Sequence, residues 1–206
     1  MPYSAPVADY LFIFNKIVNF KQLTQEDRFS EVTMDLVAAI LEEAGKISTE
    51  VLAPLQRVGD TNPAFLENGV VRTSPGFGKA YQSIADNGWI GMAASAEYGG
   101  MGLPQSLMHA VNEMMGGACL SLQLNPVMTQ GQIEALEHHA SEDLKKLYLP
   151  KLISGEWSGT MNLTEPHAGS DVGALKSVAV PNEDGSYSVS GQKIYISWAD
   201  NDFTAN

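Results

Sequence analysis

The hydrophobic period changes once along this chain, at Trp157, and that change limits the fold more than any other feature. Before it, apolar residues recur every three or four positions. Leu36, Ile40, Ala44, Ile47 and Val51, with Val37, Leu41 and Leu52 beside them, follow the spacing of one helical face. After it the spacing is twofold. Val178 and Val180 alternate with Ser177 and Ala179, Tyr187 and Val189 alternate with serines, and Asn182-Glu183-Asp184-Gly185 between them has the composition of a hairpin turn. Helices followed by antiparallel strands predict an α+β chain, with an all-α domain first and a β domain after it.

Punctuation residues divide the helical part. Ser30 is a candidate cap for a helix of about six turns, which Pro54 and the run Gly59-Asp60-Thr61-Asn62-Pro63 should break. Asn68-Gly69, flanked by Leu66 and Val70-Val71, reads as a tight turn. Ser74-Pro75 should start the next helix, and Asn87-Gly88 should end it. Trp89 to Gly102 reads as an irregular connection with Glu97-Tyr98 at an exposed turn. Pro104 then opens a helix carrying Leu107, Met108, Val111, Met114 and Met115 that weakens at Gly116-Gly117. The methionines suit either plain core packing or an adaptable apolar wall. Asn125-Pro126 should open a further helix, and Ser141-Glu142-Asp143 one more, punctuated at Pro150 and Gly155. An N-terminal segment, residues 1 to 30, carries Leu11, Phe12, Phe14, Ile17, Val18 and Phe20 on one broad side, a face that must dock on its own subunit or on a neighbour.

A net charge of −12, with twelve Lys and Arg scattered along the chain, argues against nucleic acid as a partner. The single cysteine, Cys119, rules out an internal disulfide and reads as a small buried residue. The run Tyr10 to Phe20 is interrupted by Asn15, Lys16 and Asn19, too short and too polar for a bilayer span of ~20 apolar residues. No basic segment of a signal peptide precedes it, so a soluble, cytoplasmic protein is expected. His138-His139 point in different directions on a helix and make a poor chelating pair, so no metal site is expected.

The stretch from Trp157 to Asp171 reads W-S-G-T-M-N-L-T-E-P-H-A-G-S-D. Trp157, Gly159, Met161 and Leu163 alternate with Ser158, Thr160, Asn162 and Thr164, which predicts a strand. Glu165-Pro166 ends it, since proline has no ladder donor, and Ala168-Gly169-Ser170-Asp171 supplies a small turn that is either an ordinary polar loop or a ligand cradle. About twenty residues on comes G-Q-K-I-Y-I-S, with Lys193 to Trp198 as another expected strand.

L-T-E-P-H-A-G-S-D followed by G-Q-K-I-Y-I-S resembles the flavin-binding segments of acyl-CoA dehydrogenases. The resemblance extends upstream through Glu97-Tyr98-Gly99-Gly100-Met101-Gly102 and through Tyr148-Leu149-Pro150-Lys151-Leu152 to Gly155-Glu156-Trp157. It departs from the usual pattern at Ser95-Ala96, Asn162 and Ala199. It implies an N-terminal extension at 1–30, the family's N-terminal α domain at 31–156, and at 157–206 the start of a truncated antiparallel β-barrel domain. A barrel stopping after about three strands would leave an unpaired edge, so the sequence is expected to be part of a longer chain, inactive when taken alone.

The resemblance also implies FAD as cofactor and conversion of an acyl-CoA thioester to trans-2-enoyl-CoA, as in fatty acid β-oxidation. Electron-transfer flavoprotein or a similar acceptor, and a homo-oligomer, are the implied partners. Met161, Leu163 and Thr164 would lie along the flavin edge. Ser170 would sit where pyrophosphate and the CoA pantetheine approach, as a cofactor and substrate contact. Tyr195 would pack on the flavin ring, Ile196 would give backbone contacts, and Ser197 a hydroxyl. The family's proton-abstracting glutamate belongs to its C-terminal domain, so no catalytic base is assigned here, and Glu165 is read as a loop-fixing or exposed carboxylate. Rival readings are an acyl-CoA oxidase or nitroalkane-oxidising relative of the same fold, and a non-catalytic binding protein built on it.

Overall fold

Residues 3–205 are described in a computed structural model of the chain. The chain starts with a short helix, α1 (Val7–Phe12), that widens into a π-turn at Ile13–Ile17. Tyr10, Phe14 and Phe20 turn inward, whereas Phe12, Ile17 and Val18 face solvent, so only part of the expected apolar side is used. The arm packs on its own subunit. The Tyr3 hydroxyl donates to the Met114 carbonyl at 2.6 Å, and Val7 lies so close to Gly45 that a Cβ there would sit 2.8 Å from its methyl group.

The second helix, α2 (Met34–Lys46), is capped by Thr33, whose hydroxyl accepts from the Leu36 amide at 3.2 Å. Ser30 is not the cap; its hydroxyl donates to Asp27 O. A π-turn at Ile47–Leu52 leads without a break into α3 (Ala53–Thr61). Pro54 therefore does not interrupt the helix. It lies in the first turn of α3, where a missing N–H costs least. The buried stripe runs through Val37, Leu41, Ala44, Ser48 and Leu52, one position beyond the predicted face, leaving Leu36 exposed and Val51 half-buried. The offset is already present at Leu36 and Ile40, before the π-turn, whereas Ala44 and Ile47 of the predicted face are buried. Buried Ser48 is satisfied by donating to Ala44 O at 2.7 Å.

Strands β1 (Phe65–Glu67) and β2 (Val70–Arg72) form an antiparallel hairpin. Asn68 (φ 52°) and Gly69 (φ 81°) supply the two left-handed residues that such a two-residue turn requires. Helix α4 (Phe77–Asp86) begins after Gly76, with Ser74 contributing a backbone carbonyl rather than a side-chain cap, and ends at Asn87-Gly88 as the sequence predicts. The connection to residue 102 is irregular apart from a single turn at Ala96–Tyr98. Glu97 is exposed there; Tyr98 is half-buried, its hydroxyl 3.3 Å from Glu142 Oε2.

Helix α5 (Gln105–His139) joins the two helices expected from Pro104 and Asn125-Pro126. The break falls at Cys119, whose φ of −153° and ψ of 84° are not helical. Pro126 lies inside the second half, so the weakening follows Gly116-Gly117 and not the proline. Met108, Met114, Met115 and Cys119 are buried core residues. Helix α6 (Glu142–Ser154) is capped by Ser141, keeps Pro150 inside it, and stops at Gly155 with φ 77°. Around these helices Leu41, Leu52, Ile84, Ile90, Leu107, Leu122 and Leu149 are sealed from solvent, each contributing about 1.5–3 kcal/mol of burial.

Beyond Gly155 no α-helix recurs among the described residues, only a single 3-10 turn at Val172–Ala174. Strands β3 (Val178–Pro181) and β4 (Tyr187–Ser190) pair antiparallel, with Val178 opposite Ser190 and Pro181 opposite Tyr187. The strands predicted at 157–164 and 193–198 do not form ladders. Trp157 makes one parallel bridge to Ala205, and Tyr195 and Trp198 have positive φ values of 56° and 55°, which no strand accommodates. No helix of the described residues is long and apolar enough to cross a membrane.

Candidate functional site

Two residues after Trp157 the chain is still held against the helical part. Trp157 stands between Lys151, whose ammonium lies 4.3 Å from its ring centroid, and Tyr148 at 5.8 Å. The Ser158 amide donates to Ala205 O at 2.9 Å, and the Gly159 amide to the Thr129 hydroxyl of α5 at 3.1 Å. Glycine suits position 159 in this approach, because an added Cβ would run into the Gln132 side chain and displace it.

The two sequence motifs then meet. The Thr160 hydroxyl donates to Ser197 O at 2.7 Å and the Ile194 amide donates to Thr164 O at 3.0 Å, so segments 160–164 and 194–197 run side by side in opposite directions. They are linked at these two points rather than by a continuous ladder, which is why neither is a regular strand. Trp198 anchors the second segment. Its indole N–H donates to Ser121 O at 2.9 Å and its ring packs near Phe77 and Phe203.

Of the predicted site residues, Met161, Leu163, Thr164, Tyr195, Ile196 and Ser197 are brought together in this paired arrangement. Ser170 is not; it lies on the exposed turn after Ala168. Met161 is 65% exposed and Tyr195 89% exposed, both large side chains left in water. Among the described residues, the amides of Met161 and Leu163 and the hydroxyls of Thr164 and Ser197 find no protein acceptor. These donors lie beside exposed apolar side chains on an open stretch of surface. The strained left-handed backbone of Tyr195 is the kind of local cost that persists at ligand sites.

Glu165 is buried, only 3% exposed, and fixes the loop. Its Oε2 accepts from the Lys176 amide at 2.7 Å, and its Oε1 accepts from the Ser177 amide at 3.0 Å and the Lys193 ammonium at 2.9 Å. His167 Nε2 lies 3.4 Å away. The Ser177 hydroxyl, the Lys176 amide and the Lys193 ammonium hold this carboxyl far below the usual carboxylate range. Sequence reasoning assigned no role to Lys193 or to Asn201, whose buried side chain accepts from the Phe203 and Thr204 amides at 3.0 and 2.8 Å. An Asn-Asp-Phe-Thr string is a recognisable turn signal for the second; a lysine in a strand-like run gives no signal of an ionic partner twenty-eight residues earlier.

A family model described as acyl-CoA dehydrogenase, N-terminal domain, matches residues 39–156. The chain belongs to the acyl-CoA dehydrogenase family. It is similar to 3-methylmercaptopropionyl-CoA dehydrogenase of Ruegeria pomeroyi, with 43% identity over 206 residues, covering 100% of this chain and 35% of that protein. A solved glutaryl-coenzyme A dehydrogenase in complex with glutaryl-CoA shares 27% identity and a TM-score of 0.67, with coverage of 79% of this chain and 39% of that one. An acyl-CoA dehydrogenase from Bacillus anthracis, complexed with FAD, shares the fold at TM-score 0.65 and 24% identity, covering 78% of this chain and 26% of the other. This acyl-CoA dehydrogenase chain therefore spans about a third of the length of the curated relatives it matches, 35% and 34% for two of them. The family match ends one residue before Trp157, where the hydrophobic period changes. Among the described residues, no group of three or more His, Cys, Asp or Glu is placed to hold a metal ion.

Proposed function

We propose that this chain supplies the α domain and the flavin cradle of an FAD-dependent acyl-CoA dehydrogenase that converts an acyl-CoA thioester to a trans-2-enoyl-CoA. The division follows the family match and the change of period, with an arm at 1–30, the helical domain at 31–156 and the cradle-bearing β part from 157. The observation that carries the reading is the pairing of the two motif segments through the Thr160–Ser197 and Ile194–Thr164 hydrogen bonds. That pairing sets unpartnered donors and exposed apolar side chains on one surface.

FAD bound there supplies the acceptor for the hydride that leaves the β carbon. The chain's own residues bind and orient. In this reading the Met161 and Leu163 amides and the Thr164 and Ser197 hydroxyls hold the ring edge, while Tyr195 covers apolar surface and Ile196 contributes backbone contacts. Ser170, on its exposed turn, meets the phosphates or the pantetheine of the thioester. Glu165 is excluded as the base: a carboxylate held in its ionised form by three donors is a poor proton acceptor. An electron-transfer flavoprotein or similar acceptor would be the partner that completes turnover.

The intact protein should purify with FAD, read as flavin absorbance and quantified after release. Anaerobic addition of acyl-CoA thioesters should bleach that absorbance. Protein that neither retains flavin nor takes it up on reconstitution would remove the reading, and flavin reoxidised by oxygen without an added acceptor would turn it toward an oxidase.

A further inference from the structure

Glu165 occupies an unusual place for an acid. It sits in the loop that follows the first motif, yet its side chain is 2% exposed and meets three donors from two separate stretches. An ion removed from water at such a site costs several kcal/mol unless its acceptor capacity is filled. Here it is filled, by the Lys176 and Ser177 amides ahead of β3 and by Lys193 of the second motif. Lys193 also donates to Leu163 O at 2.9 Å, and the residue after it, Ile194, donates to Thr164 O. Consecutive peptides on both sides of the cradle are thus tied to one buried ion pair. Pro166 cannot continue a ladder, so the Glu165 side chain supplies the ties that backbone pairing would otherwise give.

We infer that Glu165 and Lys193 form a positioning pair, which sets the register and outward orientation of the 163–165 and 193–197 peptides and through them the flavin. The pair does not touch the reacting atoms. It acts through the Leu163 and Thr164 carbonyls, on two residues whose amide and hydroxyl the proposed function places against the ring edge, so it rests on that reading. The two motifs are then a coupled device rather than two independent contact strips.

Three variants of the intact protein test this: Lys193→Met, Lys193→Arg and Glu165→Gln. Lys193 is partly exposed, so its removal leaves no cavity in the helical core. A glutamine at 165 would turn an NH2 group toward one of the donors now facing the carboxylate. In flavin-free protein, amide hydrogen exchange should quicken by roughly tenfold or more at Lys176 and Ser177 in the glutamine variant and at Ile194 in the methionine variant, the loss of one charge-assisted hydrogen bond. Exchange within α2 should not change. In flavin-loaded protein, the Lys193→Met and Glu165→Gln variants should bind FAD about tenfold more weakly and shift the flavin absorption band, while Lys193→Arg restores both to near native. Native exchange rates in the methionine and glutamine variants would overturn the inference, as would a native flavin spectrum and affinity. So would an arginine variant as impaired as the methionine one. If the native protein takes up no flavin, the functional reading fails by itself and the exchange rates alone decide the pair.

Discussion

Replacing Gly155 by alanine tests how tightly the end of α6 packs against α4 and Ile90. Gly155 ends α6 in the left-handed region at φ 77° and is buried, and its carbonyl accepts from the Tyr81 hydroxyl at 3.1 Å. An added Cβ would meet Ala85 Cβ at 2.7 Å, Ile90 Cδ1 at 2.9 Å and Tyr81 Oη at 3.3 Å. Two costs add. An L side chain in this backbone conformation costs roughly 1–2 kcal/mol, and crowding in a packed core costs about 1–3 kcal/mol. A total near 3 kcal/mol lowers the melting temperature of a chain this size by roughly 6–12 °C. Gly185→Ala provides the control: its φ is also left-handed, at 83°, but nothing lies within 4 Å of the added methyl. It should lose only the conformational part, about 1–2 kcal/mol. Thermal unfolding followed by circular dichroism compares the two. Equal melting temperatures for Gly155→Ala and Gly185→Ala would refute the crowding argument.

Combining Thr164→Ala with Ser197→Val should weaken FAD retention by about 1–3 kcal/mol, each lost hydrogen bond counting for ~0.5–1.5; titration of the stripped protein with FAD reads it, and native affinity would remove these donors from the site. Tyr195→Ala should leave the melting temperature within about 2 °C of native, since the ring is 89% exposed, yet reduce flavin affinity. A lower melting temperature with unchanged affinity would make Tyr195 structural instead. Glu165 also sets a pH dependence. Its folded carboxyl is held below the ordinary value of 4.5, so its stabilisation is fully present above about pH 4.5 and lost as pH falls through the lower folded value. Lys193, Lys176, Ser177 and His167 are the groups that face it. The stability gap between native protein and Glu165→Gln should stay constant from pH 6 to 8 and narrow on acidification below about pH 4.5; a gap that widens there would reverse the sign of the argument.

The order of helices before strands was legible because hydrophobic period depends on local geometry alone. So were the Asn68-Gly69 hairpin and the stop at Gly155, where left-handed φ values select for asparagine and glycine. The face of α2 was only partly located: Ala44 and Ile47 are buried, but Val37 and Leu41, read as flanking, lie deeper than Leu36 and Ile40, because adjacent apolar residues leave the period without a sharp phase. Pro126 was taken for a helix start, whereas the helix absorbs it and breaks at Cys119, where tertiary contacts outweigh local preference. The cradle residues carried a motif and could be named from it. Their arrangement could not, because Lys193 and Glu165 meet across twenty-eight positions and pairing at that separation leaves no trace in local pattern.

The anchoring of Tyr3 on Met114 joins residues 111 positions apart. A ribosome adds about 5–20 residues per second, so the groove that receives the arm emerges on the order of 5 to 20 seconds after the arm itself. During that interval the arm can pack on α2, whose Gly45 meets Val7, and Phe14 on Phe20, but its Tyr3 end has no acceptor on α5. The anchor of the arm on α5 is therefore made later than its contacts with α2. Translation speed through residues 47–114, rather than the arm's own sequence, sets how long the Tyr3 end stays unanchored.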